Sequence, residues 1–145
     1  MTGKFLCIGL ILLLGISLVA CSQQNAAKPP APEVVLQAIP AANIAQFERI
    51  HDMKTWRNPY LIVRRDDVAL LDVADSAEIL LKPAELLPAL AALPASNWPY
   101  GRVVAAAENS ARASEQDSVA IRRNKGIVGG ILQSAHIAIK WVPSA

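Results

Sequence analysis

Apolar residues after position 40 recur with two spacings, one typical of strands and one typical of helices. Continuous or alternating apolar runs predict strands at residues 60–64, 68–73, 77–81, 102–107 and 136–142. Apolar residues three or four positions apart predict helices at residues 41–54, 83–93 and 119–134. The order α-β-β-α-β-α-β, with residues 77–81 as a further short strand, predicts an α+β fold, a two-layer α/β sandwich with both later helices on one sheet face.

For the first hairpin and the last helix, the sequence also predicts which residues form the turn, the N-cap and the buried face. The first two strands flank Arg65-Asp66-Asp67, which is typical of a hairpin turn. The last helix is expected to begin after an N-cap at Asp117 or Ser118. Its expected inner side comprises Ala120, Ile127, Ile131 and Ala135.

The first 21 residues have the pattern of an export signal. Lys4 precedes an uncharged apolar run at residues 5–19, and the run ends in Leu18-Val19-Ala20-Cys21. This segment resembles the lipobox of bacterial lipoproteins. The resemblance implies that residues 1–20 are removed as a signal peptide and that the Cys21 thiol carries a diacylglycerol. An apolar run of this length is shorter than the roughly 20 residues of a membrane span.

The remaining chain divides into a tether and a domain. Residues 21–40 hold the lipidated Cys21 followed by an Ala/Pro-rich stretch, and residues 41–145 form a small α/β domain. In lipoproteins an aspartate after the cysteine causes retention at the inner membrane. Ser22 stands there instead, so the resemblance implies a lipoprotein in the outer membrane, facing the periplasm.

Charge and cysteine content exclude several classes of function. The formal net charge is +2, and removal of Lys4 with the leader lowers it to +1, which argues against a nucleic-acid partner. Cys21 is the only cysteine left once Cys7 is removed, so no intramolecular disulfide forms. With His51 and His136 as the only histidines, no Cys/His metal site is expected, and no cofactor motif is present.

The segments YLIVRRDDVALLD, KPAELLPALAAL and RVVAAAE, followed by a helix–strand pair, are together similar to the periplasmic domain of the ExbD/TolR family. The resemblance implies the same order of hairpin, helix, strand, helix and strand. It also implies a cell-envelope scaffold that contacts peptidoglycan or another envelope protein. The lipobox replaces the aspartate-bearing transmembrane helix of that family, so the family's motor function is not expected.

Two groups of side chains are candidates for binding. The loop PASNWPYGR carries Trp98, Tyr100 and Arg102, residue types that often dominate interfaces. The alternative is that the two rings cap the core. The second group is a basic cluster formed by Arg122, Arg123 and Lys125. Arg112 lies ten residues before Arg122 in the sequence. This cluster suits an anionic partner, but the favoured explanation is a solvated helix face with Glu115 and Asp117 nearby.

Two functions remain open from the sequence. The favoured one is a non-enzymatic binding or scaffold module, anchored to the membrane through Cys21 and directed at an envelope protein or peptidoglycan. The alternative is a small periplasmic hydrolase using Glu108, Glu115 or His51. No motif identifies a catalytic nucleophile.

Overall fold

The computed structural model describes residues 28–71 and 77–143, which form one mixed sheet with helices on both sides. The strands are β1 (Tyr60–Val63), β2 (Val68–Leu71), β3 (Glu78–Leu81), β4 (Val103–Glu108) and β5 (Ala138–Trp141). The α-helices are α1 (Pro32–Gln37), α2 (Ile44–Phe47), α3 (Leu86–Ala91) and α4 (Glu115–Ser134). Short 3₁₀ turns lie at Met53–Thr55, Pro83–Glu85 and Ala95–Asn97.

The sheet has the strand order β3-β2-β1-β4-β5. The hairpin of β1 and β2 and the pair of β2 and β3 are antiparallel, whereas β4 runs parallel to both β1 and β5. Because β1 and β4 are parallel, their carboxyl ends lie at the same edge of the sheet, with Val63 beside Glu108. The predicted α+β class is confirmed, and β3 is part of the sheet.

The main core lies between one sheet face and helices α3 and α4. Leu86 and Leu90 of α3 and Val128 and Leu132 of α4 share this cluster with Leu61 of β1. Both later helices therefore cover the same face, as the sequence predicted. Pro88 fits within α3 because it lies in the first helical turn, where a missing backbone N–H removes no helical hydrogen bond.

The chain before β1 covers part of the other sheet face. Phe47 and Trp56 pack edge to face at 6.0 Å between ring centroids and contact Val103 and Ala105 of β4. The helix predicted for residues 41–54 is wrong in extent, since only Ile44–Phe47 is α-helical. Tertiary hydrogen bonds replace it: the Asn43 N–H donates to the Tyr100 carbonyl at 3.0 Å.

Helix α1 lies inside the range predicted as a tether. Its Leu36 is fully buried in the main core, and the helix packs against α3. The packed part of the chain therefore includes residues before 41. None of the helices in the ranges described combines the length and apolar character that a bilayer span requires.

Helix α4 begins earlier than expected, and its inner side is only partly the expected one: Ile131 packs against the main core as predicted, but other expected residues do not. Its N-cap is Ser114, whose hydroxyl accepts from the Asp117 N–H at 3.1 Å, so Asp117 and Ser118 lie inside the helix. The buried residues of the helix are Ile121, Asn124, Val128 and Leu132. Ile127, expected inside, is 46% exposed. Ala135 is buried as predicted, just after the helix.

Candidate functional site

The loop with the two aromatic residues does not form a shared exposed platform. Trp98 is only 3% exposed and belongs to the main core. Tyr100 is half-buried on the other sheet face, where its ring centroid lies 5.2 Å from that of Trp56. The structure therefore separates the two rings, because the loop crosses from one face of the sheet to the other.

Arg102, the third residue of that candidate, is tied into the sheet by its backbone. Its N–H donates to the Pro40 carbonyl at 2.8 Å, and its own carbonyl accepts from the Ala138 N–H at 2.9 Å. The side chain is half-buried. The alternative from the sequence, that this loop caps the core, describes Trp98 and Tyr100 better than a binding platform.

The predicted basic cluster on α4 is divided by the helix. Lys125 is half-buried: its Nζ donates to Glu108 at 2.5 Å and lies 4.3 Å from the centre of the Trp141 ring. Arg122 lines the same side of α4 as Trp141, whereas Arg123 lines the side that faces Arg65. Both arginines are exposed. Arg122 and Lys125 thus line one depression, in which Lys125 is held by Glu108 and Trp141, and Arg123 lies apart from them.

A different group of polar residues converges where β1 and β4 end. A depression of about 390 Å³ lies there, lined by Arg65 after β1, by Asn109 and Arg112 after β4, and by Asp117 of α4. Arg65 Nη1 donates to Asp117 Oδ1 at 2.9 Å. Arg112 is exposed and forms no ion pair with the side chains that the structure describes. We call this group the edge depression.

The walls of the edge depression are held by hydrogen bonds. Ser114 Oγ and Asp117 Oδ2 are 2.8 Å apart, so Asp117 links the start of α4 to Arg65. Arg64 also lines the depression, but its guanidinium pairs with Glu78 of β3. Arg65 is paired with Asp117 and, through Nε at 3.4 Å, with Asp66, so among the described side chains the positive charge without an ion-pair partner is that of Arg112. The N-terminus of the 20-residue α4 adds a partial positive charge.

Sequence reasoning named Arg112 but missed its neighbours in the edge depression. The available signal was topological: polar residues directly after two parallel strands collect at one edge of a sheet, where ligands of α/β proteins commonly bind. The predicted hairpin and the predicted strand at 102–107 located the ends of the two strands. The parallel pairing of β1 and β4, however, becomes visible only in the structure.

The titratable residues named for hydrolysis lie on separate elements. Glu108 ends β4 and is bound by Lys125, Glu115 begins α4, and His51 is exposed before Met53–Thr55. Among the residues described, no group of three His, Cys, Asp or Glu side chains is placed to hold a metal ion. Burial raises the pKa of Tyr60 on the second sheet face, away from the edge depression.

The predicted lipidation site, Cys21, lies outside the described residues, so its modification stays a prediction. Comparison with known proteins does not assign the chain to a family. No family model matches the chain, and no curated protein or solved structure shows significant similarity to it.

Proposed function

We propose that this protein is a lipid-anchored binding module of the bacterial cell envelope and that it binds an anionic partner in the edge depression. The observation that carries the binding role is the convergence of Arg65, Arg112 and the α4 N-terminus on one open depression. The guanidinium of Arg112, which has no ion-pair partner within residues 28–71 and 77–143, and the N–H groups of Arg65 that Asp66 and Asp117 leave free suit carboxylates, which arginine binds in a bidentate manner.

The lipid anchor rests on Leu18-Val19-Ala20-Cys21 behind an uncharged apolar run. With two or three acyl chains on Cys21, membrane attachment is stable. The order of elements from β1 onward, hairpin, strand, helix, strand, helix and strand, agrees with the envelope-scaffold analogy apart from the added β3. The proposed location is the outer membrane, facing the periplasm, and the proposed partner is peptidoglycan or an acidic surface of an envelope protein.

The proposal is tested in two parts, and the first part examines whether Cys21 is lipidated. Intact-mass measurement of the protein from the membrane fraction should show loss of residues 1–20 and acyl chains on Cys21. The Cys21→Ala protein should keep its leader. An unmodified Cys21 in the wild-type protein contradicts the proposed anchorage.

The second part concerns the edge depression. Full-length protein in non-ionic detergent should co-sediment with purified peptidoglycan at low salt, and Arg65→Gln with Arg112→Gln should abolish this. Arg57→Gln removes an exposed arginine at the opposite end of β1 and serves as the control. If the double variant and the control bind equally, the edge depression is not the binding surface.

A further inference from the structure

An apolar cleft lies between α1 and the end of α3, on the side of the molecule where the tether enters. Val35, Ala38 and Ile39 form one wall, and Ala91, Leu93 and Trp98 form the other. All residues that line the cleft are uncharged, and its volume is about 250 Å³. An apolar cavity of about 150 Å³ is enough to bind benzene, so this cleft has room for a longer apolar group.

Trp98 gives the cleft one unsatisfied polar group. The residue is 3% exposed, and its indole Nε1 is buried without an acceptor among the residues that the structure describes. A buried donor without a partner costs about 1–3 kcal/mol, so such groups are rarely left unpaired.

From these features we infer that the cleft shelters one acyl chain of the lipid on Cys21 of the same molecule. The inference rests on the proposed lipidation. An acyl chain is apolar along its length, which matches the uncharged residues that line the cleft.

The connection between Cys21 and the cleft is short. Ten residues separate Cys21 from Pro32, the first residue of α1, and they span at most about 40 Å when extended. A lipid on so short a connection has a high effective concentration at the cleft. Two chains suffice for stable membrane attachment, so a three-chain anchor can spare one chain without releasing the protein. The domain is then held close to the membrane by α1.

Photo-crosslinking in the full-length protein tests this inference. Cells are grown with a diazirine-bearing fatty acid, and the irradiated membrane protein is digested and analysed by mass spectrometry. The expected product joins the acyl chain on Cys21 to a peptide that contains Ala38 or Leu93 of the same molecule. Crosslinks from these peptides to phospholipid chains only, or no crosslink at all, would overturn the inference.

Matched variants show whether the cleft itself is responsible. Ala38 is exposed at the mouth of the cleft, so Ala38→Phe should block entry without disturbing the core and should abolish the crosslink. Ala45→Phe makes the same change at an exposed position of α2 and should leave the crosslink intact. A crosslink that persists in Ala38→Phe contradicts the inference.

The mass of the same samples separates this inference from the proposed function. If Cys21 carries acyl chains but the crosslink is missing, the cleft inference fails and the anchorage stands. If Cys21 carries no acyl chain, both fail.

Discussion

The side-chain amide of Asn124 donates a hydrogen bond of 2.9 Å to the backbone carbonyl of Arg64. The same Nδ2 donates to the carbonyl of Asp67 at 3.1 Å, so one buried amide of α4 holds both ends of the turn between β1 and β2. Arg65 lies within this turn. The position of Arg65 in the edge depression therefore depends on a residue that does not line that depression.

Replacing Asn124 should loosen the turn. We expect Asn124→Ala to lower the free energy of unfolding by about 1–3 kcal/mol, because the Arg64 carbonyl loses the Asn124 donor and the Asp67 carbonyl keeps only the Arg64 N–H. Gln133→Ala removes an exposed amide from the same helix and should change stability by less than about 0.5 kcal/mol. Urea denaturation of both variants measures the difference. Equal midpoints would show that the Asn124 hydrogen bonds do not stabilise the turn.

Asn124 also explains why the buried side of α4 was predicted incorrectly. The buried residues are spaced as in any amphipathic helix, but a polar residue occupies one of these positions. A pattern of apolar residues alone therefore favours Ile127, which is 46% exposed, over Asn124. Sequence periodicity cannot identify a buried amide whose partners, at Arg64 and Asp67, lie some 60 positions away.

A second buried amide connects β1 to the loop before β4. Asn58 is fully buried, and its Nδ2 donates to the carbonyls of Gly101 and Val103 at 2.8 and 2.7 Å. Its Oδ1 accepts from the Tyr100 N–H at 3.0 Å. These hydrogen bonds fix the orientation of the amide, because its Nδ2 donates to two carbonyls and its Oδ1 accepts from an N–H.

Asn58→Asp should be strongly destabilising. The carboxylate would direct an oxygen at two carbonyls without gaining a cation, and we expect a loss of about 3–5 kcal/mol. Asn43→Asp makes the same chemical change at an exposed site whose side chain caps no helix, and we expect little effect. Thermal unfolding followed by circular dichroism compares the two. A wild-type melting temperature in Asn58→Asp would disprove the role given to this amide.

Helix α1 should contribute to the stability of the domain. Leu36 is fully buried, so Leu36→Ala should cost about 2–5 kcal/mol. Val34 is 60% exposed on the same helix, and Val34→Ala should cost far less. Chemical denaturation of each variant in the full-length protein gives both values. Similar losses at the two positions would mean that α1 does not pack on α3 as described.

The region before β1 was the hardest to predict, for a physical reason. Short helices are marginal by themselves, so packing decides whether they form. Pro29, Pro30 and Pro32 make the start of α1 look like a linker, yet proline is well tolerated in the first helical turn. Conversely, residues 41–54 have helical spacing, but contacts with the Tyr100 loop end α2 after one turn. Strands β1, β2 and β4 were predicted well because most of their apolar residues are buried in the sheet.

His136 has a structural role at the end of α4. Its φ is 56°, and its N–H and that of Ile137 donate to the carbonyls of Gln133 and Leu132, both at 2.9 Å, as in a Schellman motif. Since glycine adopts this conformation without steric cost, His136→Gly should raise stability by about 1 kcal/mol. His51→Gly, at an exposed position with ordinary φ, should give no increase. Destabilisation by His136→Gly, measured by urea denaturation, would contradict this assignment.

Two glycines should respond to alanine in opposite directions. Gly101 has a φ of +77°, and a Cβ there would lie 2.3 Å from the Ala41 carbonyl oxygen, which is backbone and cannot easily move aside. The left-handed conformation alone costs a non-glycine residue about 1–3 kcal/mol, so Gly101→Ala should lower stability by at least that amount. The added clash would also disturb the Asn58 contact with the Gly101 carbonyl.

Gly126 is the matched control for this prediction. It lies at an exposed position in the middle of α4, and a Cβ there meets no atom within 4 Å among the residues described. Alanine is favoured over glycine by about 0.8–1.0 kcal/mol in a helix interior, so Gly126→Ala should raise the melting temperature. Calorimetry of the two variants therefore should give shifts of opposite sign. If Gly101→Ala is neutral, the close approach of this turn to Ala41 does not constrain the fold. If Gly126→Ala is destabilising, the Gly126 position on α4 is in a contact that has no room for a methyl group.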